Sequence, residues 1–466
     1  MSVPYWVQDA VFYQIFPDRF ANGDQRNDPE NVQNWESPPT LHGYQGGDLR
    51  GILNKLDYLL DLGINAIYLN PIFLSNANHR YHTVDYFKID PRLGDHSDFQ
   101  VLLKVAHANG VRIVIDGAFN HCGRGFFPFV DLLENLDSSG YKDWFHVKNF
   151  PLDAYSPGKS ETYLGWWGLK GLPKFNTDHP PVRRYLLDVA RYWIEQGVDG
   201  WRLDVPNEID DDAFWDEFRQ VVKSVNKDAY IVGEIWTADP RWVGQSHFDG
   251  LMNYPVRDAL IEFLNGEMLP PTAFADKVEN LLKLYPRENA YAMYVTLGTH
   301  DTERILTVLG GELNKVKLAF AFLFAYPGAP GVYYGDEIGM KGGKDPECRA
   351  AFPWTQPAEW KEELQGWVKT LISLRKRNPT LRHGDYQRLL TDDRRHCYAF
   401  SRTLADEVVV VVINASAAHR HFDLSIDSLG WKENQKLHNL LGWEEYSVSN
   451  NSLLVSLPPW SAIWLG

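Results

Sequence analysis

Arg202 and Asp204 stand two residues apart in DGWRLDVPNE, Asp199 to Glu208, within an otherwise apolar run. Residues two apart on a strand share a face, so this spacing turns Arg202 and Asp204 one way and Trp201, Leu203 and Val205 the other. Two readings fit: a structural ion pair, or a catalytic carboxylate held by its partner. Further charges fall at the ends of other apolar runs. Asp116, Asn120 and His121 close VRIVIDGAFNH, Glu234 closes AYIVGEIW, and His300 with Asp301 closes AYAMYVTLGTHD. Any one of these alone is more often a structural pair. Three carboxylates, two histidines and an arginine at matching ends suit hydrolysis of a glycosidic bond, which needs one ionised carboxylate and one protonated acid flanking that bond. In that chemistry Arg202 keeps Asp204 ionised as a nucleophile. Burial and neighbouring negative charge raise the Glu234 pKa so that it donates a proton near neutrality. Asp301 is left to bind sugar hydroxyls and stabilise oxocarbenium charge.

Gathering these groups at one mouth requires strands whose C-terminal ends converge. Apolar runs of strand length alternate with helical patterns: VFYQIFP (11–17), then LRGILNKLDYLLDLG with its stop at Gly63, then NAIYLNP. SDFQVLLKVAHANG, with Ser97 as a plausible N-cap and Gly110 as its stop, precedes the third strand at 111–121. The fourth strand is the arginine–aspartate run. The fifth spans 229–236, the sixth lies near DGLMNYP, the seventh spans 290–301 and the eighth 331–339. Eight strand-and-helix units in a row predict an α/β fold, a closed (β/α)8 TIM barrel with its active site at the C-terminal strand ends. An open doubly wound sheet is the alternative and has less room for so many units. A long irregular insertion follows strand three. From about Gly384 the pattern changes to short strands between turns, which predicts a C-terminal antiparallel β-sandwich. The expected division is barrel 1–120, inserted domain 121–178, barrel 179–382 and β-sandwich 383–466.

With 466 residues, 44% of them hydrophobic, the chain can bury a large core. Its formal charge of -15 repels phosphate backbones and anionic lipid, so neither nucleic acid nor a membrane is expected as partner. The start, MSVPYWVQDA, shows no signal peptide, and no window is apolar for long enough to span a bilayer. Three widely spaced cysteines, Cys122, Cys348 and Cys397, fit neither a disulfide framework nor a zinc pattern and favour a reducing cytoplasm.

DGAFNH, GWRLDVPNE, GEIW and LGTHD, in this order and at these strands, resemble the four signature regions of the α-amylase family, glycoside hydrolase family 13. The resemblance runs from YQIFPDRF to the β-rich tail. It implies Asp204 as nucleophile, Glu234 as general acid/base and Asp301 as transition-state stabiliser. It further implies that Arg202, His121 and His300 contact the sugar next to the scissile bond, that Asp116 organises the site through Arg202, and that Tyr81, in HRYHTVDY, stacks on that sugar. LPKFN, GDEIGMKGGKDPECR and YQIFPDRFANGD resemble the cyclomaltodextrinase, neopullulanase and maltogenic amylase subgroup. Leu172 and Phe175 depart from that subgroup's usual MPKLN. Members of the subgroup usually carry an extra N-terminal β domain that builds a dimer, whereas here the barrel begins almost at once, so monomer and homodimer both stay open.

Asn22, Asp24, Asn27, Asp28, the Gly46 carbonyl and Asp48 are hard oxygen ligands suited to calcium, and their segment is similar to the calcium loop of that subgroup. A set of Asx turns is the alternative reading. Trp166 and Trp167, in a Gly-rich part of the insertion, present aromatic faces for glucose rings or for packing. Lys174 and Asn176 line the acceptor side. The expected activity is retaining hydrolysis of α-1,4, and also α-1,6, links of maltooligosaccharides, cyclodextrins, pullulan or starch, accompanied by transglycosylation. A debranching enzyme, a 4-α-glucanotransferase and an inactive carbohydrate-binding relative are the alternatives.

Overall fold

A computed structural model of the protein describes residues 3–265 and 269–466. In chain order its first ten strands are β1 (Phe12–Ile15), β2 (Ala66–Leu69), the hairpin β3 (Phe73–Ser75) and β4 (Thr83–Ile89), β5 (Arg112–Gly117), β6 (Gly200–Leu203), β7 (Tyr230–Gly233), β8 (Gly250–Leu251), β9 (Tyr294–Thr296) and β10 (Ala329–Tyr333). Eight of them, all but the hairpin, form one parallel sheet in the order β8-β7-β6-β5-β2-β1-β10-β9. A parallel bridge between Met252, just after β8, and Tyr294 in β9 joins its two ends, so the sheet is the expected barrel.

Alternation along the strands sorts side chains into two cores. Phe12, Tyr68, Val114, Tyr230, Val232, Met252 and Tyr294 pack together inside the ring. Their neighbours in sequence, including Tyr13, Ile67, Ile113, Ile115, Trp201, Leu203 and Ile231, pack outward with the helices. Arg202 therefore points inward because Trp201 and Leu203 are held outward, and the register sets it directly beside Asp116 of β5. Gly200 begins β6 because a Cβ there would lie 2.2 Å from the Tyr230 carbonyl oxygen of β7.

The helices between strands start and stop on local signals. Helix His96–Ala108 opens on a capping box in which Asp95 and Asp98 each accept the other's backbone N–H. Its N-cap is thus Asp95, two residues before the expected Ser97. Helix Leu56–Leu62 ends at Gly63, whose φ of 98° is the left-handed C-cap conformation.

The first, third and fifth strands are shorter than expected, at Phe12–Ile15, Arg112–Gly117 and Tyr230–Gly233, and the seventh and eighth differ for local reasons. The seventh covers only Tyr294–Thr296, since Arg287–Ala290 forms a helical turn after Pro286. The eighth starts earlier, at Ala329, and stops at Tyr333. Gly335, at φ 84°, turns the chain there into the short 3-10 segment Asp336–Ile338.

Beyond the barrel come β11 (Asp385–Asp392), β12 (Cys397–Leu404), β13 (Glu407–Asn414), β14 (Arg420–Ser425), β15 (Lys436–His438), β16 (Glu445–Ser447), β17 (Ser452–Leu457) and β18 (Ser461–Leu465). The antiparallel sheet β11-β12-β13-β18 has two apolar faces. Ala399, Val410 and Val412 meet Leu424, Leu453 and Val455 of the β14–β17 pair, whereas Tyr398, Phe400, Val411 and Trp464 join the barrel's outer core. The small domain is thereby packed against the barrel along a full sheet face.

Candidate active site

The charges at the ends of β5, β6, β7 and β9 meet at one mouth. Arg202 is the hub. Its Nη1 donates to Asp116 Oδ1 at 2.9 Å and to Asp204 Oδ1 at 3.0 Å. Its Nη2 lies 3.0 Å from Glu234 Oε2 without hydrogen-bond alignment. Arg202 and Asp116 are fully buried, and Asp204 and Glu234 stand between them and the opening. The Tyr68 and Tyr81 hydroxyls donate to Asp116 Oδ2 at 2.6 and 2.7 Å. Asp116 is thus saturated from below and acts on the mouth through Arg202.

Asp204 lies one residue beyond β6. There the chain turns sharply: Val205 takes φ 37°, ψ 50°, a left-handed conformation that is strained for a β-branched residue. The turn aims the Val205 N–H at Glu234 Oε2, 3.0 Å away, and the Trp236 indole N–H reaches Glu234 Oε1 at 3.1 Å. Asp301, after β9, is held by Arg349 Nη2 at 3.1 Å and lies 3.0 Å from His300 Nε2. Burial holds His300 well below the usual histidine range, so its ring is neutral. Gln14 Nε2 lies 2.9 Å from Nδ1, so Nε2 carries the proton and donates it to the Tyr81 hydroxyl at 2.7 Å. Tyr81 stacks on the His300 ring at 5.5 Å, with planes 9° apart.

The cleft above these groups has a volume of about 550 Å³. One wall is His79, Tyr81 and His82; a second is Asp204, Glu234 and Trp236; a third is His300, Asp301, Asp345 and Arg349. The insertion supplies the remaining wall through Trp166, Trp167, Leu169 and Leu172. His121 stacks on Trp166 at 5.0 Å and Trp166 on Trp167 at 4.5 Å, a three-ring stack whose outer member is 74% exposed. Burial lowers the His121 pKa to about 3. Its Nε2 has no hydrogen-bond partner, which leaves a buried donor for a ligand hydroxyl.

Lys174 and Asn176 stand behind the wall. Lys174 Nζ donates to the Glu208 carbonyl at 2.6 Å, and Asn176 Nδ2 to the Asp143 carbonyl at 2.9 Å. Both brace the insertion; Glu208, which Lys174 holds, is the residue that lines the cleft.

The electrostatics alter one expectation. Burial pushes the Asp204 carboxyl well up, Arg202 pulls it down, and Glu234, Asp116 and Asp301 push it further. Arg202 alone does not keep Asp204 ionised, because three carboxylates share that guanidinium. Burial raises Glu234 to about 7 against the pull of Arg202, with Asp301 adding to the rise. Asp204 and Glu234 therefore titrate as a unit that retains one proton near neutrality. The aligned hydrogen bond from Arg202 opposes the rise at Asp204, as the guanidinium and the Val205 N–H do at Glu234.

A model of the α-amylase catalytic domain matches residues 14–399, and one of the maltogenic amylase C-terminal domain matches residues 386–464. The chain belongs to the α-amylase family. It is therefore a glycoside hydrolase by family, and its fold agrees with solved members. The chain is 46% identical to a cyclomaltodextrinase of Geobacillus thermopakistaniensis, over 99% of its own length and 77% of the relative's. It superposes on the cyclic α-maltosyl-(1→6)-maltose hydrolase of Arthrobacter globiformis with a TM-score of 0.91, at 39% identity and with full coverage of both chains. The debranching enzyme of Nostoc punctiforme is similar at TM-score 0.90 and 40% identity, covering 100% of this chain and 99% of that one.

Sequence reasoning missed Gln14, Tyr68, Trp236, Asp345, Arg349 and Asn70, whose Nδ2 donates to the Tyr81 hydroxyl at 3.0 Å. Gln14 carried the same signal as Arg202, a polar residue inside an apolar strand. Arg349 carried none, since its loop has no periodicity to show which way it points.

Proposed function

We propose that this chain is a retaining α-glucan hydrolase cleaving α-1,4 links, and also α-1,6 links, of maltooligosaccharides, cyclodextrins and pullulan. The reading is carried by one observation: Asp204 and Glu234 face a common cleft from one guanidinium, that of Arg202. A carboxylate oxygen of Asp204 attacks the anomeric carbon, and the glycosidic C–O bond breaks with its electron pair going to the leaving oxygen. Glu234 gives that oxygen its proton and becomes the carboxylate. It then takes a proton from water, whose oxygen attacks the anomeric carbon and frees Asp204; a sugar hydroxyl in place of water gives transfer. Asp301 and the neutral imidazoles of His121, with its free Nε2 donor, and His300 hold the glycosyl unit, and Asp301 stabilises oxocarbenium charge. Trp166 and Trp167 offer ring faces to the glucan. A time course on cyclodextrin, pullulan and amylose tests this: the α-anomer is expected first, and initial release of the β-anomer would refute double displacement. The likeness to a debranching enzyme supports a second reading, selective α-1,6 cleavage, which the pullulan and amylose arms separate.

The residues of the N-terminal loop fit a structural calcium ion. Asn22 Oδ1 and Asn27 Oδ1 are buried oxygens without hydrogen-bond partners. The Asp28 carboxyl sits 2.8 Å from Asn22 Nδ2, its pKa raised by burial and by Asp48, Asp18 and Asp24. Gly46, at φ 82°, lies so close to this group that a Cβ would come 2.4 Å from Asp28 Oδ1. Asp48 braces the loop by accepting from the N–H groups of Gly23, Asp24 and Gly51, and Asp24 turns its own carboxylate to Arg26. Asn22, Asn27, Asp28 and the Gly46 carbonyl would hold the ion, which would fasten the loop to the start of helix Leu49–Asn54. The three free, buried cysteines suit a reducing cytoplasm.

A further inference from the structure

Glu234 must be a proton donor in one half of the proposed reaction and a proton acceptor in the other, yet its two oxygens are not equivalent. Oε2 accepts the Val205 N–H at 3.0 Å and faces Arg202 Nη2 at 3.0 Å. The Val205 N–H and the positive guanidinium facing it disfavour a proton on Oε2. The proton to be delivered therefore rides on Oε1, and the group touching Oε1 is the Trp236 indole N–H at 3.1 Å. That indole is not free to swing. Tyr254, itself fully buried, stacks on it face to face at 3.9 Å with planes 6° apart. Trp236 is nonetheless 46% exposed and forms part of the cleft wall, so it touches the acid on one edge and the glucan path on another.

We propose that Trp236 is a positioning residue for Glu234: its indole N–H fixes Oε1 toward the cleft and stabilises the carboxylate form, so that the same group works as acid and then as base. This inference rests on the assignment of Glu234 as acid/base. A donor aimed at a carboxyl favours its ionised form, so removing it raises the pKa. The other groups bearing on Glu234 are Arg202 and Asp204 from β6 and the residue after it, Asp116 from β5, Asp301 beyond β9 and Tyr254 from the helix after β8. All of them remain in W236F, whose phenyl ring keeps a face for Tyr254. The half-exposed position makes W236F a mild change for folding, and a thermal melt establishes that the variant is native.

The test is the pH profile of kcat/KM for the wild type and W236F on maltotetraose and on an aryl α-maltoside with an acidic phenol, which departs without a proton. In W236F the basic limb on maltotetraose is expected to move up by about one pH unit, the scale of one lost hydrogen bond to a charged group. Near pH 6 the rate on maltotetraose is expected to fall roughly tenfold, and that on the aryl substrate much less. An unmoved basic limb, or equal losses on both substrates, would show that Trp236 is only a wall and overturn the inference. Azide rescue separates the two assignments. Glu234→Ala with azide should release maltosyl azide of retained configuration from the aryl substrate. Rescue with an unmoved limb in W236F defeats the role of Trp236 alone, whereas failure of rescue defeats the role of Glu234.

Discussion

Asp204 is paired with Arg202 at 3.0 Å, and that pairing makes its role testable by an isosteric change. Asp204→Asn keeps the shape of the side chain and one acceptor for Arg202, so the variant should fold and melt near the wild type while kcat falls roughly a thousandfold or more. Retention of a hundredth of wild-type turnover would remove Asp204 as nucleophile. Glu234 makes a second prediction through its charge. Its pKa rises from 4.5 in the unfolded chain to about 7 in the folded one, so the folded state binds the proton more tightly. Stability from this group is therefore present below pH 4.5 and lost as pH rises through 7. Glu234→Gln removes the penalty and should raise the melting temperature at pH 8 but hardly at pH 4, by at most about 3 kcal/mol. A melting temperature that rises equally at both pH values would contradict a buried, proton-retaining Glu234. In the wild type, kcat/KM should decline above pH 7 for the same reason.

At the scale of elements, the site depends on how closely β6 and β7 approach. Gly200 is the residue that permits it, since its missing Cβ would meet a backbone oxygen that cannot move without the strand. Gly200→Ala should destabilise the fold by about 1–3 kcal/mol and lower kcat by displacing Arg202 two residues on. Denaturant melts and kinetics on one preparation check this, and a variant with unchanged stability would mean that the strands have more slack. The insertion shows the opposite regime. Its chain is tied to the barrel by the Phe175 N–H donating to the Asn120 carbonyl, and isolated bridges such as Phe145–Phe175 and Val147–Tyr163 join its own segments. Such a segment can change in sequence without disturbing the catalytic carboxylates, and it is the segment that supplies the tryptophan wall.

Over the whole molecule, the N-terminal loop, the barrel and the β-domain form one packed body. If calcium binds at Asn22, Asn27 and Asp28, chelation should lower the melting temperature, because an ion that binds only the folded state at a hundred times its Kd contributes about 2.7 kcal/mol. Asp28→Asn should remove most of the difference between calcium and chelator. An equal melting temperature in both, for the wild type, would leave the loop as Asx turns. The β-domain is bound differently, by a sheet face and by buried Arg402, which donates to the carbonyls of Leu381 and Gly384 at 2.7 and 2.8 Å.

The amino-acid sequence by itself determined the barrel, the β-rich tail and the turning of Arg202 away from Trp201 and Leu203, because alternation and helical period are local consequences of which residues seek water. It also placed charge at the strand ends, where a parallel barrel opens. It could not determine that one guanidinium is shared by Asp116, Asp204 and Glu234, nor that the shared charge leaves Asp204 less protected than its nearest neighbour in sequence suggests. Nor could it show Gln14, Arg349 and Trp236 at the site, or Lys174 and Asn176 behind it. Those placements come from loops and from residues far apart in the chain. Coulomb energy and hydrogen bonding act on distance in space, and only the closed barrel sets that distance.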